Sequence, residues 1–144
     1  MKILVCGGRE YLDKDRLEIV LNQLDGVKEL VEGGAGGYRL KSTPSKIFRD
    51  AIGYDMHKDE SDKEYFGADT LAKVWADKKG GSIIVHTHPA DWKKLGPKAG
   101  PIRNQEMLEK HPDLKLVVAF PGGNGTADMI KRAKAAGVAV WEIK

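Results

Sequence analysis

Residues 114–136 constrain this chain more than any other stretch. An apolar run at 114–120 leads into Pro121-Gly122-Gly123-Asn124-Gly125-Thr126, and an amphipathic helical pattern over 126–136 leads out. Strand, glycine turn and helix in that order aim backbone N–H groups and a helix N-terminus at one point, where an anion can sit. The glycines let the backbone turn tightly and approach a ligand with no Cβ in the way. Thr126 can cap the helix or donate its hydroxyl to a phosphate. An ordinary strand-to-helix turn is the competing reading of one such motif. Two further glycine turns, at 7–8 and 33–37, favour a phosphate site.

The rest of the chain repeats this alternation. Apolar strand patterns occupy 2–6, 28–32, 82–86, 114–120 and 138–143, and helical spacing occupies 15–24, 68–79, 101–110 and 126–136. The expectation is an α/β fold, a single Rossmann-like doubly wound domain over 1–144, with about five parallel strands and helices on both faces. Ligands in such sheets bind beyond the carboxyl ends of the strands, where all three glycine turns fall. Residues 38–66 break the alternation. They are polar and charged, with a short helical patch at 45–52, and read as an insertion at the ligand end of the sheet. Surface elaboration, a subunit contact and a specificity lid all fit such a segment.

Bulk composition excludes several classes. At 144 residues, 31% charged and 41% hydrophobic, the chain suits one soluble domain with a real core. A net charge of +3 without a basic block argues against a nucleic-acid binder. No apolar stretch approaches the ~20 residues of a membrane span. Cys6 is the only cysteine, so no internal disulfide forms, and a reducing, cytoplasmic setting fits. Its place on a buried strand makes it a small core residue rather than a nucleophile.

Four side-chain groups stand out. Arg9, after Gly7 and Gly8, can hold a phosphate by its fork, or pair on the surface with Glu10 or Asp13. Asp69, beside the Gly33-Gly34-Ala35 turn, can favour a helix dipole, accept ribose hydroxyls or act as a carboxylate near a glycosidic bond. Arg103 and Asn104 sit near a helix start opened by Pro101; a cation in a first turn opposes the dipole unless an anion lies nearby. Asp91-Trp92 supplies an aromatic ring that can stack on a base or pack against its loop. His86 and His88 form an H-x-H pair, but spacing offers no third ligand, so no metal and no cofactor is expected.

The chain resembles the SLOG superfamily, the Rossmann-like group joining the DNA-processing protein DprA (Smf) to the LOG phosphoribohydrolases, and within it the YspA-like branch. The resemblance rests on CGGREY at 6–11, GGAG at 33–36 continued as GADTLAKVWA at 67–76, ADW at 90–92, GPIRNQEM at 100–107 and PGGNGTADM at 121–129. It covers nearly everything outside 38–66, and it implies the fold more narrowly than the activity. LOG enzymes place a Glu three positions after the Thr of PGGxGT; here Met129 stands there and Asp128 one residue earlier, about 100° around the helix. Arg103 matches the LOG catalytic Arg.

The resemblance implies a nucleotide or nucleotide-derivative binding domain with a sensor role, and a homodimer. Its ligand-binding residues would be Gly7, Gly8, Arg9, Gly33, Gly34, Ala35, Trp92, Asn104, Pro121, Gly122, Gly123, Gly125 and Thr126. The enzymatic alternative is a nucleoside 5′-monophosphate N-glycosidase, with Arg103, Asp69 and Asp128 as catalytic residues. Single-stranded DNA handling like DprA is a weaker alternative, because no basic stripe with interleaved aromatics appears.

Overall fold

The computed structural model describes residues 1–49, 57 and 59–144. Five parallel strands form the central sheet: β1 (Lys2–Cys6), β2 (Glu29–Glu32), β6 (Ile84–Thr87), β7 (Leu114–Ala119) and β8 (Ala139–Glu142). Their order is β6-β2-β1-β7-β8. The chain winds outward from β1 through β2 to β6, then crosses back over β1 to β7 and β8. The reversal lies between β1 and β7, and the crevice there is where such sheets take ligands. The fold is the α/β, Rossmann-like doubly wound architecture expected from the alternation.

Two apolar layers fix it. Helices α1 (Lys14–Asn22) and α2 (Ala68–Asp77) cover one face, where Leu17, Leu21, Leu71, Trp75 and Ile3 pack around Phe120. Helices α4 (Ala99–Lys110) and α5 (Asn124–Ala135) cover the other, where Met107 and Met129 meet Leu4, Val31 and Val117. Consecutive strand residues feed opposite layers, so the central strands are apolar on both sides and read as continuous runs. The short helix α3 (Trp92–Leu95) lies between β6 and α4.

Helix starts differ from the sequence expectation. Asp13 accepts the Arg16 N–H at 3.1 Å and starts α1 at Lys14. Helix α4 begins at Ala99, so Pro101 occupies the third position. First-turn N–H groups have no partner within the helix, and proline costs no bond there. Arg103 therefore lies in the second turn, outside the first-turn conflict with the dipole. Helix α5 begins at Asn124, with Gly123 as N-cap and no side-chain capping bond; Thr126 is not a cap.

Within 38–66 the described residues form strands and a short 3-10 turn at Glu60–Asp62, and those of the expected helical patch are not helical. A second sheet, β4-β3-β5, is antiparallel and built from β3 (Gly37–Leu40), β4 (Ile47–Arg49) and β5 (Lys63–Phe66). The patch expected at 45–52 is overturned where it meets β4: Tyr38 stacks on Phe48 at 4.8 Å, a cross-strand contact that the polar sequence hides. Its last residues, 50–52, lie outside the described residues.

Both ends of this excursion meet. A Cβ on Gly36 would come 2.9 Å from the Gly67 Cα, and one on Gly67 would come 2.6 Å from the Gly36 Cα. Both glycines have positive φ, +109° and +91°. Close approach and conformation each require glycine here.

Phe120 is 1% exposed and lies where β7 meets the glycine turn. Phe120→Ala should destabilise the chain by about 3–5 kcal/mol, read as a lower urea midpoint.

Candidate functional site

A pocket of about 440 Å3 opens at the switch point. Its floor is Val5 and Cys6 at the end of β1, with Met107 of α4 and Met129 of α5, all buried. One wall is the start of α5, Gly123 to Thr126; the opposite wall carries Trp92, Pro97 and Pro101. Arg9, Asp69, Arg103 and Asp128 supply the charge. Of the residues singled out in the sequence, Gly7, Gly8, Gly33, Ala35, Asn104 and Gly125 also line it, whereas Gly34, Pro121 and Gly122 do not.

The three outsiders are structural. Gly34 gives its N–H to Glu32 at 2.5 Å. Pro121 accepts the Gly8 N–H at 2.9 Å, joining the first and last glycine turns. A Cβ on Gly122 would lie 2.2 Å from the Thr126 Oγ1 and 2.7 Å from the Gly8 N. Gly122 thus lets the threonine turn inward. At Gly123 and Gly125 an added Cβ would meet nothing within 4 Å, because both face open space.

Arg103 crosses the end of the sheet. Its Nη1 donates to the Gly33 carbonyl at 2.6 Å and, more weakly, to the His88 carbonyl at 3.4 Å. Its Nε donates to the Asn104 Oδ1 at 3.1 Å. Gly33 makes the crossing open: a Cβ there would come 2.3 Å from Nη1 and 3.1 Å from the Asp69 Oδ2. A guanidinium from α4 and a carboxyl from α2 thus flank one bare backbone position.

Asp69 is buried, and its Oδ2 accepts the Ala35 N–H at 3.1 Å. Burial pushes its carboxyl up to about 6, against the opposing charge of Arg103. Glu32, missed in the sequence, ends β2 just behind it at 1% exposure. Its carboxylate accepts from Gly34 and from the Thr87 hydroxyl. Burial and the neighbouring Asp69 charge push Glu32 up to about 7. The available signal was an acid ending an otherwise apolar strand, directly before Gly33.

Asp128 has different company. Asn104 Nδ2 donates to it at 3.0 Å and Arg132 Nε at 2.8 Å. Burial works against its ionisation, but those hydrogen bonds outweigh it and hold the carboxyl below its ordinary range. Asn104 also donates to the Gly125 carbonyl at 3.2 Å, bracing the α5 start against α4. Met129, at the position of the LOG glutamate, is 1% exposed and packs in the core.

Arg9 does not pair with Glu10 or Asp13. Its guanidinium lies over the Trp92 ring at 5.3 Å, and Glu10 pairs with Arg49. Cys6 faces the pocket floor, yet burial, reinforced by the Asp69 charge, pushes its thiol up and leaves it protonated. No described residue of 38–66 lines the pocket.

The H-x-H pair gains a third imidazole that spacing did not reveal. His88 and His111 meet Nε2 to Nε2 at 2.8 Å, and the His86 Nε2 lies 2.8 Å from the Glu29 Oε1. Burial and the nearby Lys2 push the His111 ring down to about 4. Among the described residues, no group of His, Cys, Asp and Glu side chains has the geometry to hold a metal ion. No helix among them is long and apolar enough to cross a membrane.

No protein-family model matches the chain. It is similar to the Gene 61 protein of Mycobacterium phage D29, 39% identical over 79 residues. That stretch is 51% of this chain and 62% of the phage protein, so the chain spans less than two thirds of that relative.

Glu32 gives a pH signature. The folded chain keeps a proton on it that the unfolded chain releases between about pH 4.5 and about 7. Its contribution is therefore full below about pH 4.5 and is lost as pH rises through about 7. Wild type should lose about 2–3 kcal/mol more stability than Glu32→Gln between pH 5 and 8, measured by urea unfolding.

Proposed function

We propose that the pocket binds a nucleotide or nucleotide derivative, with a phosphate at the start of α5. The observation that carries the reading is the α5 N-terminus at the switch point. It has no side-chain cap, and Gly123 and Gly125 face open space there. Uncapped N–H groups and the positive end of the helix dipole favour an anion. The Thr126 hydroxyl and Arg103, both on the pocket lining, add donors. Trp92 and Pro97 offer an apolar wall for a base. The volume falls at the small end of the usual range for small-molecule sites, about 300–1,000 Å3. The resemblance to SLOG domains supports the same ligand class and a homodimeric, sensor-type binding domain.

The enzymatic alternative, hydrolysis of a nucleoside 5′-monophosphate at its N-glycosidic bond, draws on Asp69. This buried carboxyl lines the pocket beside Arg103, and burial brings it toward the pH range where it can take or give a proton. It is a better candidate than Asp128, whose carboxylate is held by Asn104 and Arg132. In this reading Arg103 balances charge at the phosphate or ribose. Asp69 orients water and stabilises the oxocarbenium-like transition state.

A thermal-shift screen over nucleoside mono-, di- and triphosphates tests the binding reading. A true ligand at one hundred times its Kd adds about 2.7 kcal/mol of stability. A Cβ at Gly123 meets no atom within 4 Å, and Gly123→Val should weaken binding at least about tenfold, with an unchanged circular-dichroism spectrum as the check on the fold. Unchanged affinity would remove the phosphate from α5.

Chromatography of bound nucleoside 5′-monophosphate for free base decides the enzymatic alternative. Asp69→Asn should then abolish base release while leaving binding within about threefold, a loss confined to the transition state. No base from wild type leaves the sensor reading alone.

A further inference from the structure

Glu32 and Asp69 approach one turn from two elements. Gly34 gives its N–H to Glu32 at 2.5 Å, and Ala35, the next residue, gives its N–H to Asp69 at 3.1 Å. Glu32 is 1% exposed and Asp69 7%. Two ionised carboxylates in so dry a place would need two nearby cations, or one of them must keep its proton.

Three cations act on the two acids, and each is engaged elsewhere. From α4, Arg103 lies beside Asp69, but its Nη1 is shared with the Gly33 and His88 carbonyls. From α2, Lys73 faces Glu32 at longer range and is tied to Asp77 at 2.9 Å. From the turn after β1, Arg9 faces Asp69 while lying over Trp92. Cys6 on β1 is a neutral thiol, and Thr87 on β6 offers a hydroxyl to Glu32.

We propose that Glu32 and Asp69 act as one proton-sharing pair across the turn at 33–35, keeping an exchangeable proton at the base of the pocket. Glu32 is the positioning residue and Asp69 the member that faces a ligand. With the proton on Asp69, the pocket presents an O–H donor; with the proton on Glu32, it presents a carboxylate acceptor. A ribose hydroxyl can use either state. An anion entering the pocket draws a solvent proton onto the pair, a consequence that rests on the nucleotide reading above.

Carboxyl-carbon NMR of the full, ligand-free chain tests the pair without any ligand. In wild type, one of the two carboxyls should titrate above pH 6. Glu32→Gln should move the Asp69 midpoint down, and Asp69→Asn the Glu32 midpoint, each by about one pH unit, the coupling at which two sites titrate together. Midpoints that ignore the partner's removal, or two wild-type carboxyls both titrating below pH 5, would overturn the pair. Should either variant fail to fold, Thr87→Val keeps both acids and removes one donor to Glu32. Its upper midpoint should rise, and no change counts against the proposal.

Calorimetry with adenosine 5′-monophosphate in two buffers of different ionisation heat separates the two readings. No binding heat overturns the choice of a nucleoside monophosphate and leaves the titration result standing. Binding to wild type near pH 7 without proton uptake overturns the coupling of ligand to the pair.

Discussion

Everything at the ligand end of this molecule depends on Arg103 passing over Gly33. The sheet separates two helical layers, and side chains from opposite layers cannot ordinarily meet. At the strand ends they can, provided that the position between them carries no Cβ. Gly33 is that position. Through it, α4 is tied to the carbonyl of the second glycine turn, and the charge of its guanidinium is felt by the carboxyl of α2. Asn104, the next residue, ties α4 to α5. One turn of one helix therefore sets the spacing of the pocket walls.

This arrangement explains why the site gathers acids as well as bases. An arginine drawn over the sheet end needs a counter-charge, and Asp69 supplies it. Burial then makes the acid reluctant to ionise, and Glu32 behind it more so. The result is a site whose charge balance depends on protons, beside a helix start that is open to an anion. Asp128, held by two donors, stays ionised at the pocket wall.

Much of this was legible in the sequence, and the failures have physical reasons. The five strands and four long helices follow from periodicity, because strands buried on both faces leave continuous apolar runs. Glycine turns marked the end of the sheet where the pocket opens, because such turns follow strand carboxyl ends. Glu32 escaped notice because a single acid at a strand end looks like a solvated terminus until the opposite helix covers it. His111 escaped because the contact with His88 is made across space, between a helix end and an edge strand. The strand at Ile47–Arg49 was misread as helical because its partner, Tyr38 on β3, acts through cross-strand packing rather than local pattern. The role of Gly122 was visible as glycine but not as the space that Thr126 turns into.

The paired glycines at 36 and 67 make the small antiparallel sheet a side branch that leaves and rejoins the body at one point, with Arg49 reaching back to Glu10 and Tyr65 packed on the core. The main chain leaves the Rossmann-like body and returns to it at almost the same point, as a loop on a string closes on its knot. Length and composition inside such a branch are decoupled from the sheet register and from the helix that follows. A change of length at its tip would leave the start of α2, and so Asp69, in place. Variation is channelled into the branch, and the pocket lining, which takes no described residue from 38–66, is left alone.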